Sequence, residues 1–253
     1  VETKSFPYKT SPLNLGHRGA QKVAPENTLA AFERARVMGA DGVELDVQLS
    51  ADGALIVMHD FRVERTTNGQ GAVKELKLDY LRGLDAGGWF SPEFRGERVP
   101  TLDEVLDWAG DAMLLNIELK SFSLRGDGLE QKVIEAVRRE QLQGRVILSS
   151  FNPLSLIRAK RIAPEISIGL LYASDLPLPL RRAWLRPVVR PNALHPQWRM
   201  VSDPYMTWAR RAGYRVNVWT ADEFRDQQRL TELGVDAIIT NRPDTLAALL
   251  KRP

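Results

Sequence analysis

The chain of 253 residues contains no cysteine. That excludes disulfides, zinc–thiolate centres and a cysteine nucleophile, and it leaves either redox compartment open. Histidine is nearly as scarce, with three residues in the whole chain. No apolar run approaches the roughly 20 residues that cross a bilayer, and no charged-then-apolar leader opens the sequence. A cytoplasmic protein without stable membrane insertion is the expectation, with a processed leader left open because the first residue is Val1 instead of Met. The formal charge of +3 is small for this length, and no dense Lys/Arg stripe is present. A polybasic nucleic-acid footprint is thereby excluded, and a small molecule is the expected partner. The oligomeric state is left unassigned.

With 43% hydrophobic and 26% charged residues, the composition is that of an ordinary globular protein. Short β-rich runs alternate with helical patterns along nearly the whole chain, which points to a parallel sheet covered by helices. The strand candidates are 13–17, 42–46, 113–119, 145–149, 166–171, 193–195, 214–220 and 236–240. Eight is the number that closes a (β/α)8 TIM barrel, and that is the expected α/β fold. Helical patterns occupy 27–38, 101–108, 129–142, 153–162, 204–212, 222–233 and 243–249. The 101–108 helix opens with a Thr-Leu-Asp-Glu capping box. The stretch 173–191 holds four prolines and reads at most as a short helix over 180–184.

One strand pattern, 54–59, breaks the alternation. Too few residues separate it from Asp46 for a crossover helix, and Ala51-Asp52-Gly53 reads as a hairpin turn. A hairpin centred there sets His59 opposite Glu44 and returns it to the barrel mouth. The next 39 or so residues, about 61–99, form an interruption of the kind that carries function at the catalytic end of a barrel. We read one domain over 1–253, with a small cap insertion at about 61–99.

Barrel enzymes work at the C-terminal ends of their strands, and polar residues collect at those ends here. They are His17-Arg18, Glu44 with Asp46, Glu118 with Lys120, His195 and Trp219. Glu44 and Asp46 are two apart and leave one strand face, as do Asn116, Glu118 and Lys120. Three carboxylates converging in a mouth repel one another unless a cation sits between them. Oxygen ligation by Glu44, Asp46 and Glu118 suits one divalent cation, Mg²⁺ or Ca²⁺. His17 and His59 form an acid–base pair, since histidine titrates near neutrality. Arg18 offers a planar fork and Lys120 a point charge for phosphate oxygens. His195 also reads as a strand cap before Pro196, and Trp219 as core packing; Arg181, Arg182, Arg186 and Arg190 read as a solvated face.

The motifs Gly16-His17-Arg18-Gly19, Pro25-Glu26-Asn27-Thr28, Val43-Glu44-Leu45-Asp46-Val47 and Met58-His59-Asp60 occur in order. They continue with Arg65-Thr66-Thr67-Asn68-Gly69, Trp89-Phe90-Ser91-Pro92, Ile117-Glu118-Leu119-Lys120, Ser149-Ser150-Phe151, Val218-Trp219-Thr220 and the stretch 236–241. In these motifs the sequence resembles the bacterial glycerophosphodiester phosphodiesterases over nearly its whole length. The resemblance implies a barrel like that of the phosphatidylinositol phospholipases C, with a family-typical insertion after the second strand. It implies a divalent ion on Glu44, Asp46 and Glu118, acid–base work by His17 and His59, and phosphate contacts from Arg18 and Lys120. The implied reaction is hydrolysis of glycerophosphodiesters to sn-glycerol 3-phosphate and an alcohol, a step of glycerol and lipid metabolism. His17 is taken as base and His59 as acid, with the reverse left open. Trp219 and Lys120 are the candidates for glycerol selectivity. One departure is visible: the last strand ends Thr240-Asn241, where the family often has Thr-Asp.

Two other readings stand beside this one. A phospholipase D-like or cyclic-phosphate-forming phosphodiesterase would present an apolar mouth around 76–94. A non-catalytic phosphodiester-binding protein would have no use for the His17–His59 pair.

Overall fold

The computed structural model describes residues 6–8 and 12–251; the outer ends of the 1–253 domain lie outside the described residues. Among the described residues there are nine strands and ten α-helices. In chain order they are β1 (Leu13–His17), α1 (Leu29–Val37), β2 (Gly42–Leu49), β3 (Leu55–Val57), α2 (Leu78–Arg82), α3 (Leu102–Ala109), β4 (Leu114–Leu119) and α4 (Leu129–Arg139). Then come β5 (Val146–Ser150), α5 (Pro153–Ile162), β6 (Ser167–Tyr172), α6 (Leu178–Arg181), α7 (Arg186–Val189), β7 (Ala193–Pro196) and α8 (Asp203–Arg211). The chain closes with β8 (Arg215–Val218), α9 (Phe224–Leu233), β9 (Ala237–Thr240) and α10 (Pro243–Leu249). Eight parallel strands run β1-β9-β8-β7-β6-β5-β4-β2, and β2 pairs back on β1, so the barrel is closed. The ninth, β3, is the antiparallel hairpin partner of β2.

Strand periodicity sorts the side chains into two sets. Val43, Leu45 and Val47 of β2, with Leu115, Ile117 and Leu119 of β4, point outward and pack under α1, α3 and α4 in the main apolar core. The inward set changes character with height. Leu13, Leu15, Leu114, Ile147, Ala193 and Ala237 fill the lower interior, closed off by Phe6 and Tyr8. Glu44, Asp46, Asn116 and Glu118 occupy the same face one or two steps higher. The apolar floor lets the barrel close without water, and the polar upper layer makes the mouth.

Local chemistry explains most boundaries. Thr101 and Glu104 form the expected reciprocal capping box on α3. α1 begins at Leu29, two residues later than its pattern suggests, because Thr28 is the N-cap and Asn27 sits at φ +56°. The prolines of the 173–191 stretch break it into two one-turn helices, α6 and α7, in place of a single short helix.

The hairpin register differs by one from the expectation. Val47 faces Val57, Gln48 faces Ile56 and Leu49 faces Leu55. The turn has three residues, with Ser50 and Ala54 paired across it and Gly53 at φ +78°. Its centre is therefore Asp52, half a residue beyond the centre assumed from sequence. Beyond Val57 the Met58 N–H still donates to the Asp46 carbonyl at 3.0 Å, and Gln48 Nε2 donates to the Met58 and Asp60 carbonyls, so His59 leaves β3 on a turn tied to β2 and is not paired opposite Glu44. It still reaches the mouth.

Candidate active site

The upper interior opens into a cavity of about 170 Å³ that is lined on one side by His17, Arg18, Glu44, His59, Asn116 and Glu118. Glu44, Asp46 and Glu118 each present an oxygen within 4.8 Å of the other two. Register accounts for this convergence: β2 and β4 are adjacent, with Glu44 beside Asn116 and Asp46 beside Glu118. All three carboxylates are buried, and their charges disagree. Burial, then the charge of Asp46, pushes the Glu118 carboxyl up to about 7; burial, Asp46 and Glu118 hold Glu44 well above the usual range. Asp46 is pushed up by burial too, but Lys120, Arg18, His59 and the Asn27 amide pull it down to about 2.

The cationic groups explain that split. Lys120 Nζ lies 3.2 Å from Glu118 and 3.5 Å from Asp46. Arg18 donates to Glu26 at 2.8 Å, and its Nε lies 3.4 Å from Asp46. Asn27 Nδ2 donates to Asp46 at 2.9 Å. Arg18 takes φ +52° at the β1–α1 junction, and Gly19 follows at φ +85°, where a Cβ would collide with the Ala31 backbone. This turn lets the Arg18 N–H donate to Glu44 at 3.1 Å and places the guanidinium over Asp46.

Buried polar atoms here lack hydrogen-bond partners. Among the described residues Asp46 Oδ1, Arg18 Nε and both amide atoms of Asn116 make no hydrogen bond, and Asp46 Oδ1 has only the Lys120 ammonium at 3.5 Å. An orphaned carboxylate oxygen costs free energy unless a ligand satisfies it. With three oxygen donors, no thiolate and an orphaned Asp46 Oδ1, the cluster fits a hard divalent cation.

The two histidines have different supports. His17 Nδ1 lies 2.7 Å from Asn241 Oδ1. Asn241 in turn donates from Nδ2 to Asp222 at 2.7 Å and from its backbone N–H at 2.8 Å. Asp222 only accepts, so the amide is fixed with Oδ1 toward the ring. Gln21 Nε2 also lies 2.5 Å from Nδ1, so Nδ1 sits between the Asn241 acceptor and an amide nitrogen, and Nε2 faces Glu44 at 3.8 Å. Burial, reinforced by Arg18, lowers the His17 pKa to about 4. His59 is a third exposed, and its Nδ1 meets Asp60 at 2.7 Å. Asp60 is clamped by Arg65, which also holds Glu26. Burial and the nearby Arg18 and Lys120 charges lower the His59 pKa, while Asp46 and Asp60 oppose the shift.

The far side of the cavity is apolar: Phe151, Leu171, Trp219 and Ile239. Trp219 stands edge-on to Phe151 with ring centroids 5.4 Å apart, and its indole N–H donates to the His195 carbonyl at 2.7 Å. His195 itself does not line the cavity. It is fully buried below, with Asn217 3.0 Å from Nε2, and burial lowers its pKa to about 3.

The structure thus brings His17, His59, Arg18, Lys120, Trp219 and the three carboxylates to one mouth. Sequence reading placed Glu26, Asn27, Asp60, Arg65 and Asn241 in its motifs without giving them a role, and it did not single out Asp222 or Gln21. Asn27 had a signal, since an Asn before a helix N-cap is a common left-handed position. The Asp222–Asn241 contact spans two βα loops and left none. The segment 61–99 packs on its own apolar cluster of Val63, Val73, Leu81 and Leu84 under Ile56 and Met58. No residue of 76–94 lines the mouth cavity.

Fold and site together define a (β/α)8 barrel whose mouth sets a cluster of three carboxylates beside two histidines, an arginine and a lysine. A model of the glycerophosphoryl diester phosphodiesterase family matches residues 17–245, and the chain belongs to that family. It is 45% identical to a glycerophosphodiester phosphodiesterase of Caldanaerobacter subterraneus subsp. tengcongensis, covering 95% of this chain and 98% of that one. A solved glycerophosphodiester phosphodiesterase from Agrobacterium tumefaciens superposes with a TM-score of 0.82 at 32% identity, covering 94% and 100% of the two chains. An Oleispira antarctica phosphodiesterase in complex with the product sn-glycerol-3-phosphate superposes at 0.83 with 31% identity, covering 96% and 98%.

Proposed function

We propose that this chain hydrolyses glycerophosphodiesters at the barrel mouth, releasing sn-glycerol 3-phosphate and an alcohol, with Glu44, Asp46 and Glu118 holding one Mg²⁺ or Ca²⁺. The carrying observation is the convergence of these carboxylates beside two histidines held in unlike environments. When bound, the cation supplies charge stabilisation to the phosphoryl oxygens. Arg18 and Lys120 add to that stabilisation and orient the diester.

His17 acts as the base. With its proton on Nδ1, donated to the Asn241 oxygen that Asp222 orients, Nε2 is the accepting atom, and the low pKa keeps the ring neutral. His59 acts as the acid. The carboxylate of Asp60 favours its imidazolium, and its partial exposure lets it take a proton from water and pass it to the leaving alcohol. Both rings are held below the usual histidine pKa, and the Asp46 and Asp60 carboxylates partly offset the lowering at His59. Trp219 offers an apolar face to the glycerol carbons. We read 61–99 as a cap beside the mouth, tied to it through Arg65, Asp60 and Glu26.

The test is a coupled assay for released glycerol 3-phosphate. Glycerophosphocholine and glycerophosphoethanolamine are expected to give similar kcat/KM, and bis(p-nitrophenyl) phosphate much less. Full activity after exhaustive chelation, or equal cleavage of the aryl diester, would overturn the assignment.

A further inference from the structure

The connection between β6 and β7, residues 173–192, has a surface unlike the rest of the molecule. Residues 176–202 contain no carboxylate, while Arg181, Arg182, Arg186, Arg190 and Arg199 fall within them. Among the described residues none of these five arginines forms an ion pair, and the segment supplies no carboxylate that could hold them, unlike Arg36 with Glu33 or Arg138 with Glu165 elsewhere on the surface. The contacts of Arg181 and Arg186 are backbone carbonyls and a ring: Arg186 donates to the Arg182 carbonyl at 3.0 Å and lies 4.8 Å over Trp208.

Between the arginines, five large apolar side chains face water: Leu178, Leu180, Trp184, Leu185 and Val188. Trp184 is 53% exposed and Val188 63%. Folding alone gives no return for exposing these groups together. A groove of about 440 Å³ runs beside them, walled by Arg181, Arg182, Trp184, Arg186, Trp208 and Tyr172.

We propose that this segment docks the barrel on the surface of an anionic phospholipid bilayer. The chemistry matches that surface layer by layer. Leucine, valine and tryptophan side chains settle at the headgroup–acyl boundary, and guanidinium groups sit at the depth of the lipid phosphates. The other occupants fit less well. A second copy packed through the same patch would set arginine against arginine across the two-fold axis. A nucleic acid could stack on Trp184 but has no use for Leu178, Leu180, Leu185 and Val188. The segment leaves the barrel rim at Tyr172, next to Leu171 of the mouth cavity, so docking would hold the mouth close to the lipid–water boundary. No helix of the described residues is long and apolar enough to cross a membrane; the proposed association is peripheral.

The experiment is co-sedimentation of the full chain with vesicles of phosphatidylcholine alone and with added phosphatidylglycerol. Binding is expected only to the anionic vesicles and should weaken with salt. The double variant Arg181→Gln/Arg182→Gln should lose about 25-fold in partitioning, at about fivefold per arginine. Trp184→Ser should weaken binding through the apolar contact. Both variants should hydrolyse soluble glycerophosphodiester at the parent rate, which verifies that they fold. No binding, equal binding to neutral vesicles, or binding indifferent to these substitutions would overturn the proposal. So would self-association removed by the same changes, or preferential capture of a single-stranded oligonucleotide over the vesicles.

Discussion

The two halves of the barrel mouth are built from different chemistry. Every ionisable group in the cavity wall comes from β1, β2, the hairpin after it, and β4. The opposite wall, from β5, β6, β8 and β9, offers Phe151, Leu171, Trp219 and Ile239. A phosphodiester of a small polyol has the same division, with an anionic centre and a carbon skeleton beside it. The charged half can bind the phosphoryl group and move protons; the apolar half can only recognise shape and exclude water. If this division is correct, substitutions in the first half should act mainly on kcat and those in the second mainly on KM.

The largest effect is expected at the carboxylates. Asp46→Asn removes the one carboxylate that Lys120 and Arg18 hold ionised, and it should lower kcat/KM by more than about 10³-fold, the scale of several kcal/mol of charge stabilisation. Chelation should abolish turnover, and added Mg²⁺ or Ca²⁺ should restore it. A pH dependence follows. Glu118 is pushed up to about 7 and Glu44 is also raised, so the cation-free site holds protons near neutrality. A cation must displace them, so its affinity falls as pH drops below about 7, by up to about tenfold per pH unit for each proton displaced. Calorimetric titration with Ca²⁺ at several pH values checks this; a flat affinity across that range would contradict it.

The histidines come next. His17→Ala and His59→Ala should each lower kcat by about 10²–10⁴-fold, with thermal unfolding of the protein little changed because neither side chain supports the apolar floor. Steady-state kinetics on glycerophosphocholine decide it, and a His59 variant of near-parent rate would remove the hairpin from the machinery. A smaller loss is expected from Asn241→Leu, which removes the acceptor that orients the His17 ring at Nδ1. Loss of such an orienting partner typically costs about 10–100-fold. The loss should appear in kcat with KM nearly unchanged, which distinguishes orientation of the base from damage to the diester-binding surface.

Much of the charged half was legible in the sequence. Spacing of two put Glu44 with Asp46 and Asn116 with Glu118 on inward faces, and the barrel rule put those faces at one rim. Periodicity specifies which face a residue takes but not its height in the barrel. His195 shows the limit: it ends a strand just as His17 does, yet it lies sealed beneath the cavity beside Asn217. The hairpin turn was read at Ala51-Asp52-Gly53, where the structure has it, but the pairing drawn from it was off by one because a half-residue error in the centre shifts every partner by one. The supports were least visible. Asn241 was noticed only as a departure from a family pattern, while its contact with Asp222 depends on how two loops meet at the rim. Phe151, Leu171 and Ile239 read as ordinary core residues, and only closure of the barrel makes them a wall.

The apolar half gives the smallest expected effect and the sharpest test of the division. Trp219 belongs to the wall by position, and its indole N–H is already committed to the His195 carbonyl. It has no donor left for substrate, so its contribution must come from the ring face. Trp219→Ala should raise KM for glycerophosphodiesters by about tenfold, the cost of a lost apolar contact of modest size, and should change kcat less. Trp219→Phe keeps an apolar face and should stay within about twofold of the parent, although it lacks the indole donor. The same KM measured with an aryl diester should respond little to either change, because that substrate has no glycerol carbons to meet the ring. If Trp219→Ala instead lowered kcat and left KM alone, the ring would be supporting the charged half through Phe151 and the rim, and the division between the two walls would fail.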